Sequence, residues 1–293
     1  MDESKLYVEG FFDPATSTVT YLLLDRATQA AAIIDSVLDY DPKSGRTRTT
    51  SADRVLTRAA ELGARIEWIL ETHVHADHLS AAAYLKEKLG AKVAIGDRIA
   101  TVQQVFGRLF NAGPAFATDG SQFDHLLADG DTLPLGSLVI EAWQTPGHTP
   151  ACLTYVVQSD KETVAFAGDT LFMPDYGTAR CDFPGGDAAM LYRSIRRILS
   201  LPEATTLYMC HDYRPGGREV AYVTSVGEER AANVHIHDGV DEAAFVAMRR
   251  ARDAQLEAPV LLLPSVQVNM RAGELPPPEE SGTRYLKIPL NAI

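Results

Sequence analysis

The run Thr72-His73-Val74-His75-Ala76-Asp77-His78 sets three histidines and a carboxylate directly behind the apolar stretch Ile66-Glu67-Trp68-Ile69-Leu70. Imidazole and carboxylate together suit zinc or non-haem iron, and a strand end followed by a tight loop lets closely spaced side chains converge on one point. The run therefore reads as half of a metal site, with the metal and the reaction both open. Candidates for the other half lie far downstream, as expected when the fold rather than local spacing closes a site. His148 sits in Thr145-Pro146-Gly147-His148-Thr149, where Pro and Gly force a turn after the apolar run Leu138 to Trp143. Asp169 follows Thr163-Val164-Ala165-Phe166-Ala167-Gly168, and His211 follows Leu207-Tyr208-Met209-Cys210. Each of these polar residues ends a short apolar strand, so all are expected to crowd one rim of a sheet packed against helices.

The intervening residues alternate between strand and helix patterns. Val19 to Leu24 and Ala30 to Asp35 read as paired strands, and Ser51 to Leu62 as a helix with Ser51 as N-cap and Gly63 as stop. Leu79 to Leu89 reads as a helix ended by Gly90, Lys92 to Ile95 as a strand and Arg98 to Phe110 as an amphipathic helix. Gly113, Pro114, Asp119, Gly120 and Ser121 mark a loop. Short strands follow at Leu138 to Trp143, Cys152 to Val157, Thr163 to Ala167 and Thr206 to Cys210, with helices expected at Asp187 to Leu199, Glu219 to Asn233 and Asp241 to Leu256. The chain is read as a single domain over 1–293, with an insertion around 97–125 and a helical and extended tail from about 219.

Composition narrows the function. With 293 residues and 46% hydrophobic content the chain can bury one large core or two smaller ones. A net charge of −12 without any Lys/Arg-rich run argues against nucleic acid, because phosphate contacts need a concentrated basic face. No stretch approaches the ~18 uncharged apolar residues of a membrane span and the N-terminus has no apolar signal core, so no membrane is expected and the location is read as cytoplasmic. Cys152, Cys181 and Cys210 form neither a CxxC pair nor an even set, which favours reduced thiols. The absence of GxSxG, GxxxxGK and GxGxxG disfavours serine hydrolysis and nucleotide chemistry.

The HxHxDH loop, the histidine of Thr145-Pro146-Gly147-His148-Thr149, the aspartate of Gly168-Asp169-Thr170-Leu171-Phe172 and the histidine of Cys210-His211-Asp212-Tyr213 resemble, in that order, the metallo-β-lactamase fold superfamily. The resemblance implies an α/β fold, a four-layer αββα metallo-β-lactamase sandwich with the metal at one edge. Many chemistries share that scaffold, so the fold alone does not choose a reaction. Asp175-Tyr176-Gly177-Thr178-Ala179-Arg180-Cys181-Asp182-Phe183-Pro184-Gly185-Gly186 and Val268-Asn269-Met270-Arg271-Ala272-Gly273 resemble the persulfide dioxygenases, in their longer bacterial type.

That resemblance implies one Fe(II) per chain held by His73, His148 and Asp169. Three protein ligands on one face leave up to three adjacent positions of an octahedral ion for a substrate sulfur and O2. The implied partners are glutathione persulfide and O2, which with water give glutathione and sulfite. His75, Asp77, His78 and His211 would then act as hydrogen-bonding groups around the iron. In the competing reading, a glyoxalase II-like hydroxyacylglutathione hydrolase, the same residues complete a site for two Zn(II) per chain. Tyr213 is expected to hydrogen-bond a ligand such as Asp169, with a plain core tyrosine as the alternative. Arg180 and Arg271 are candidates for glutathione carboxylates, since guanidinium forks match them and an acidic chain needs local cations to hold an anion. Tyr176 would stack or hydrogen-bond there, while structural ion pairs are the alternative for each arginine. Cys181 is read as packing, His235 and His237 as closing a helix, and isolated His125 as having no role. A homodimer is possible, the tail and insertion offering cover for a neighbour.

Overall fold

A computed structural model of the chain describes residues 4–292. A first sheet runs in the order Leu6–Asp13, Thr18–Asp25, Ala30–Ile34, Arg65–Leu70, Lys92–Gly96, His125–Leu127. A second runs Thr132–Leu135, Leu138–Gln144, Leu153–Gln158, Thr163–Phe166, Thr206–Tyr208, Val223–Ser225. The central strands are apolar throughout, and because side chains alternate between faces, neighbours in sequence must bury against different layers. Tyr21, Leu23, Ile34 and Leu70 point between the sheets and meet Ile140, Leu153, Tyr155 and Phe166. Their neighbours Leu22, Leu24, Ile33 and Ile69 point outward, into a layer shared with Val55, Leu85, Phe106 and Val266. Those four come from the helices Thr50–Glu61, Ala82–Leu89, Ile99–Leu109 and Leu262–Asn269. On the far side Val156, Ala165 and Leu207 face Leu191 and Ile195 of Ala188–Ile198 and Phe245 of Glu242–Asp253. The molecule is thus the αββα sandwich expected from the sequence. Each fully buried Leu, Ile or Phe contributes about 1.5–3 kcal/mol, and a one-residue slip of Thr18–Asp25 would turn Tyr21 and Leu23 to the wrong layer.

Several element limits differ from the sequence reading for identifiable reasons. The first helix starts at Thr50, and Ser51 is not its N-cap; the Asp39 carboxylate instead accepts from the Ser51 N–H at 2.9 Å and hydroxyl at 2.8 Å, capping the helix from a neighbouring strand. Leu79–Ser80 pairs as a short strand before the helix Ala82–Leu89 begins. Of the helix expected over Glu219 to Asn233, only Val226–Ala232 forms; Val223–Ser225 is the edge strand of the second sheet. Ser225 then caps that helix in a reciprocal arrangement with Glu228. The helix Leu262–Asn269 is additional to those expected from the sequence; Pro264 falls in its first turn, where no N–H is needed.

The tail matters for the site. Phe245 belongs to the outer layer of the second sheet and Val266 to that of the first, so the chain between them crosses the edge of the sandwich. Leu256, Pro259, Val260 and Leu261 lie on that crossing.

Candidate metal centre

Strand direction brings the polar residues together. Thr163–Phe166 and Thr206–Tyr208 are parallel neighbours, so Asp169 and His211 emerge from the same edge. Leu138–Gln144 and Leu153–Gln158 are antiparallel, and His148 sits in the loop joining them. Two glycines permit the approach. Gly147 has φ 144°, and a Cβ there would lie 2.4 Å from the Leu191 backbone; Gly168 has φ 53°, and its Cβ would lie 2.8 Å from the Thr72 side chain. Only glycine suits either place.

His73, His148 and Asp169 present ligand atoms that all lie within 4.8 Å of one another. Asp169 Oδ2 is 3.8 Å from His73 Nε2 and 3.7 Å from His148 Nε2. The other oxygen, Oδ1, lies 3.0 Å from His211 Nε2, which is 3.3 Å from Asp77 Oδ2. His75, Asp77 and His78 make a further group with ligand spacing. A metal fits this array on an internal criterion. His73 Nε2, His75 Nδ1 and His78 Nε2 are buried with no hydrogen-bond partner among the described residues, and His211 Nε2, Asp169 Oδ1 and Asp77 Oδ2 are buried with only one another in reach. Buried polar atoms left without partners are costly, and here they face one another, as a bound cation requires.

The remaining ring nitrogens are committed, which fixes the lone pairs. Asp35 Oδ1 accepts from His75 Nε2 at 2.9 Å and from the Thr72 N–H at 2.8 Å. Its Oδ2 accepts from the Thr72 hydroxyl at 2.9 Å. With that proton spent, the Thr72 oxygen accepts from His73 Nδ1 at 3.1 Å, leaving Nε2 bare. His148 Nδ1 donates to the Arg180 carbonyl at 2.8 Å. Thr18 Oγ1 stands 3.3 Å from His78 Nδ1 and 3.4 Å from His211 Nδ1.

Asp35 and Thr72 were not singled out from the sequence. Asp35 is 2% exposed and sits at φ 51°, a left-handed conformation that costs a non-glycine residue about 1 kcal/mol or more. A lone aspartate at the end of Ala30–Ile34 carries no signal of its own; its meaning depends on the parallel partner Arg65–Leu70.

Charge follows this geometry. Burial pulls His75 down, but the Asp35 charge and hydrogen bond outweigh it and hold the ring up at about 9. Burial likewise opposes His211, which Asp169 and Asp77 nonetheless raise to about 10. Burial, then the positive His75 ring, drives His73 well below the ordinary histidine range, and burial lowers His148. Burial would raise Asp169; the His211 and His73 charges overcome it and hold the carboxyl well below normal.

A cavity of about 530 Å³ opens over the cluster, reaching Asp77, His148 and Asp169 and walled by Phe172, Phe183, Tyr176 and the crossing tail. Tyr176 lines it. Its ring lies 4.7 Å from that of Tyr213, which stacks on His211 at 5.6 Å. The expected hydrogen bond from Tyr213 to Asp169 is absent among the described residues; Tyr213 works here as an aromatic wall. Arg180 also lines the cavity, but its fork already grips Asp182 at 2.6 and 2.7 Å and donates to the Glu257 carbonyl at 2.6 Å. Arg271 lies elsewhere, stacked at 4.2 Å on Phe116 and lining a separate surface pocket with Tyr285 and Lys287. The cation the sequence reading missed is Arg252. It lines the main cavity, exposed, and its guanidinium has no hydrogen-bond or ion-pair partner among the described residues. In sequence it hides in the run Arg249-Arg250-Ala251-Arg252, which looks like a solvated helix face. Arg249 in that run is instead buried against Asp253 at 2.7 Å. His235 supports the cavity wall by accepting from the Thr178 N–H at 3.0 Å, and neither it nor His237 joins a group with ligand spacing among the described residues. No helix of the described residues is long and apolar enough to cross a membrane.

The chain belongs to the metallo-beta-lactamase superfamily, whose family model matches residues 14–211. It is 68% identical over 98% of its length to a probable metallo-hydrolase of Burkholderia pseudomallei, covering 99% of that protein. It is 49% identical over 99% of its length to a Dictyostelium discoideum protein named glyoxylase B2, again covering 99% of it. The human mitochondrial persulfide dioxygenase ETHE1 is 32% identical, with 92% of this chain and 89% of the human protein covered. Among solved structures, ETHE1 of Myxococcus xanthus superposes with a TM-score of 0.72 at 30% identity, covering 92% of this chain and 100% of the other.

Proposed function

We propose that the chain is a persulfide dioxygenase using one Fe(II), which converts glutathione persulfide, O2 and water to glutathione, sulfite and two protons. The observation that carries the reading is the buried face of His73, His148 and Asp169 at the floor of an apolar, aromatic-walled cavity large enough for a tripeptide. Similarity to ETHE1 over nine-tenths of the chain supports it. Iron bound to such a face supplies the oxygen activation and the electron transfer from sulfur. The protein's part is positioning and exclusion of water. Phe172, Tyr176, Phe183 and Tyr213 dry the approach to the ligands, and the Arg180 carbonyl orients His148. Arg252, the unpaired cation of the wall, takes a glutathione carboxylate. Arg180, whose charge is already met by Asp182, shapes the wall through Phe183, over which its guanidinium lies at 5.2 Å.

Arg252→Gln is expected to raise KM for glutathione persulfide about tenfold, with kcat within about twofold, since an exposed charge-assisted contact contributes near the low end of ~1.5–3 kcal/mol. Unchanged KM in an oxygen-uptake assay would remove Arg252 from substrate binding.

A second reading, a two-zinc thioesterase, is favoured by the bare atoms of Asp77, His78 and His211 and by the name of the Dictyostelium relative. Metal analysis of protein purified without oxygen separates the two, joined to oxygen-electrode and thioester assays. The expected result is one iron per chain, one O2 consumed per sulfite formed from glutathione persulfide, and no cleavage of S-lactoylglutathione. Two zinc ions per chain, thioester cleavage and no oxygen uptake would establish the hydrolase instead.

A further inference from the structure

The Asn269-Met270-Arg271 segment reaches the metal loop through a residue other than its arginine. Asn269 ends the helix Leu262–Asn269 and is 4% exposed. Its amide meets three backbone groups of the loop at once. Nδ2 donates to the carbonyls of His75 at 2.9 Å and His78 at 2.8 Å, and Oδ1 accepts from the Ser80 N–H at 2.7 Å. Both donors of the amide are thereby used, on carbonyls that bracket Ala76 and Asp77. The residues from Thr72 to His78 form no strand or helix, so no regular ladder fixes their path.

The helix end that carries the amide is itself held. Gln103 Nε2 donates to the Met270 carbonyl at 3.0 Å, while Gln103 Oε1 accepts from the Gly120 N–H at 2.8 Å. Beyond it, Gly273 runs so close that a Cβ would lie 2.9 Å from Ala83 N and 3.0 Å from Ser80 O. Asp35 grips the loop from the sheet side, at Thr72 and His75; Asn269 grips it from the helix side, at His75, His78 and Ser80. One face of the loop is tied to charge, the other to a neutral amide.

We propose that Asn269 is a positioning residue that sets the spacing of His75, Asp77 and His78 against His73, and so sets the affinity and coordination geometry of the metal. The proposal rests on the part of the functional reading in which this loop surrounds a metal, and is independent of the reaction. A buried side-chain amide that satisfies backbone groups fixes a loop conformation, because a path that moves away from it leaves two carbonyls and an N–H without these partners.

The test is titration of the metal-free full chain with Co(II), read by visible absorption, with thermal unfolding of each variant measured alongside. Asn269→Ala is expected to weaken Co(II) binding by roughly 10–100-fold and to shift the cobalt bands. Gln267→Ala removes bonds from the same helix to its own Leu263 carbonyl and to the Lys287 carbonyl, away from the loop; it is expected to lower the unfolding temperature while leaving affinity and bands within twofold of wild type. If Asn269→Ala does not fold, Asn269→Asp keeps the volume and the acceptor for Ser80, replaces the donating amide, and carries the same expected loss. An Asn269 variant that folds and binds Co(II) with wild-type affinity and spectrum overturns the clamp alone. A wild-type chain that takes up no Co(II) overturns the metal reading beneath it.

Discussion

His148→Ala is expected to empty the centre and abolish activity, whereas His78→Ala is expected to leave one metal per chain in place. The contrast follows from where Asp169 points its oxygens. Oδ2 lies 3.7–3.8 Å from His148 Nε2 and His73 Nε2, while Oδ1 lies 3.0 Å from His211 Nε2. Removing His148 leaves the first face with a histidine and a carboxylate, too few to hold a divalent ion through dialysis. Loss of a direct ligand should exceed the roughly 10–100-fold that outer partners cost, so metal content after dialysis should fall below a tenth of wild type. His78 belongs to the other group, with His75 and Asp77. Under the one-iron reading its loss changes a neighbouring hydrogen bond and lowers kcat without removing the ion. Under the two-zinc reading it halves the stoichiometry. Metal content of the two variants relative to wild type, measured beside oxygen uptake, decides between these outcomes, and retention of full metal and activity by His148→Ala would remove His148 from the centre altogether.

The sandwich was legible because its signals are local and repeated. The apolar strands Arg65–Leu70, Thr163–Phe166 and Thr206–Tyr208 lead within three residues to His73, Asp169 and His211, which predicts the rim, and Tyr21, Leu23 and Ile34 face between the sheets as period two requires. What escaped was whatever depends on pairing across long sequence distance. Asp35 acquires a role only when Ala30–Ile34 lies parallel to Arg65–Leu70, which puts its carboxylate under Thr72 and His75. Arg271 stands in a recognisable segment and Arg252 in a run that reads as a solvated helix face, yet the fold puts Arg252 on the cavity wall and Arg271 against Phe116. The helix Leu262–Asn269 is hard to read because Pro264 is compatible with a helix only where it falls in the first turn, and nothing local marks Leu262 as the start. The same distance hides Asn269, nearly two hundred residues from the carbonyls it serves.

Asp35→Asn should do more damage than its small change of volume suggests. The carboxylate accepts four contacts, from the Thr72 N–H, the Thr72 hydroxyl, His75 Nε2 and, at 3.5 Å, the Cys210 thiol. An amide presents only one accepting oxygen, so at least one of these donors faces an NH2 group. If that donor is His75, the imidazole loses the partner that keeps its proton on Nε2 and its lone pair on Nδ1, and metal affinity should fall about 10–100-fold. The variant also has a signature in pH. His75 is held up at about 9 in the folded metal-free chain, above the ordinary 6.5, so it contributes stability that is complete below 6.5 and lost as pH rises through 9. His211, raised to about 10, adds a loss of the same sign at slightly higher pH in both proteins. The unfolding midpoint of the chelated wild-type protein should therefore decline from pH 6.5 to 9, and Asp35→Asn, with His75 returned toward its ordinary range or below by burial, should start lower and decline less over that window. Parallel declines in the two proteins would show that Asp35 does not set the charge of His75, and the grip on the loop would then be one of shape alone.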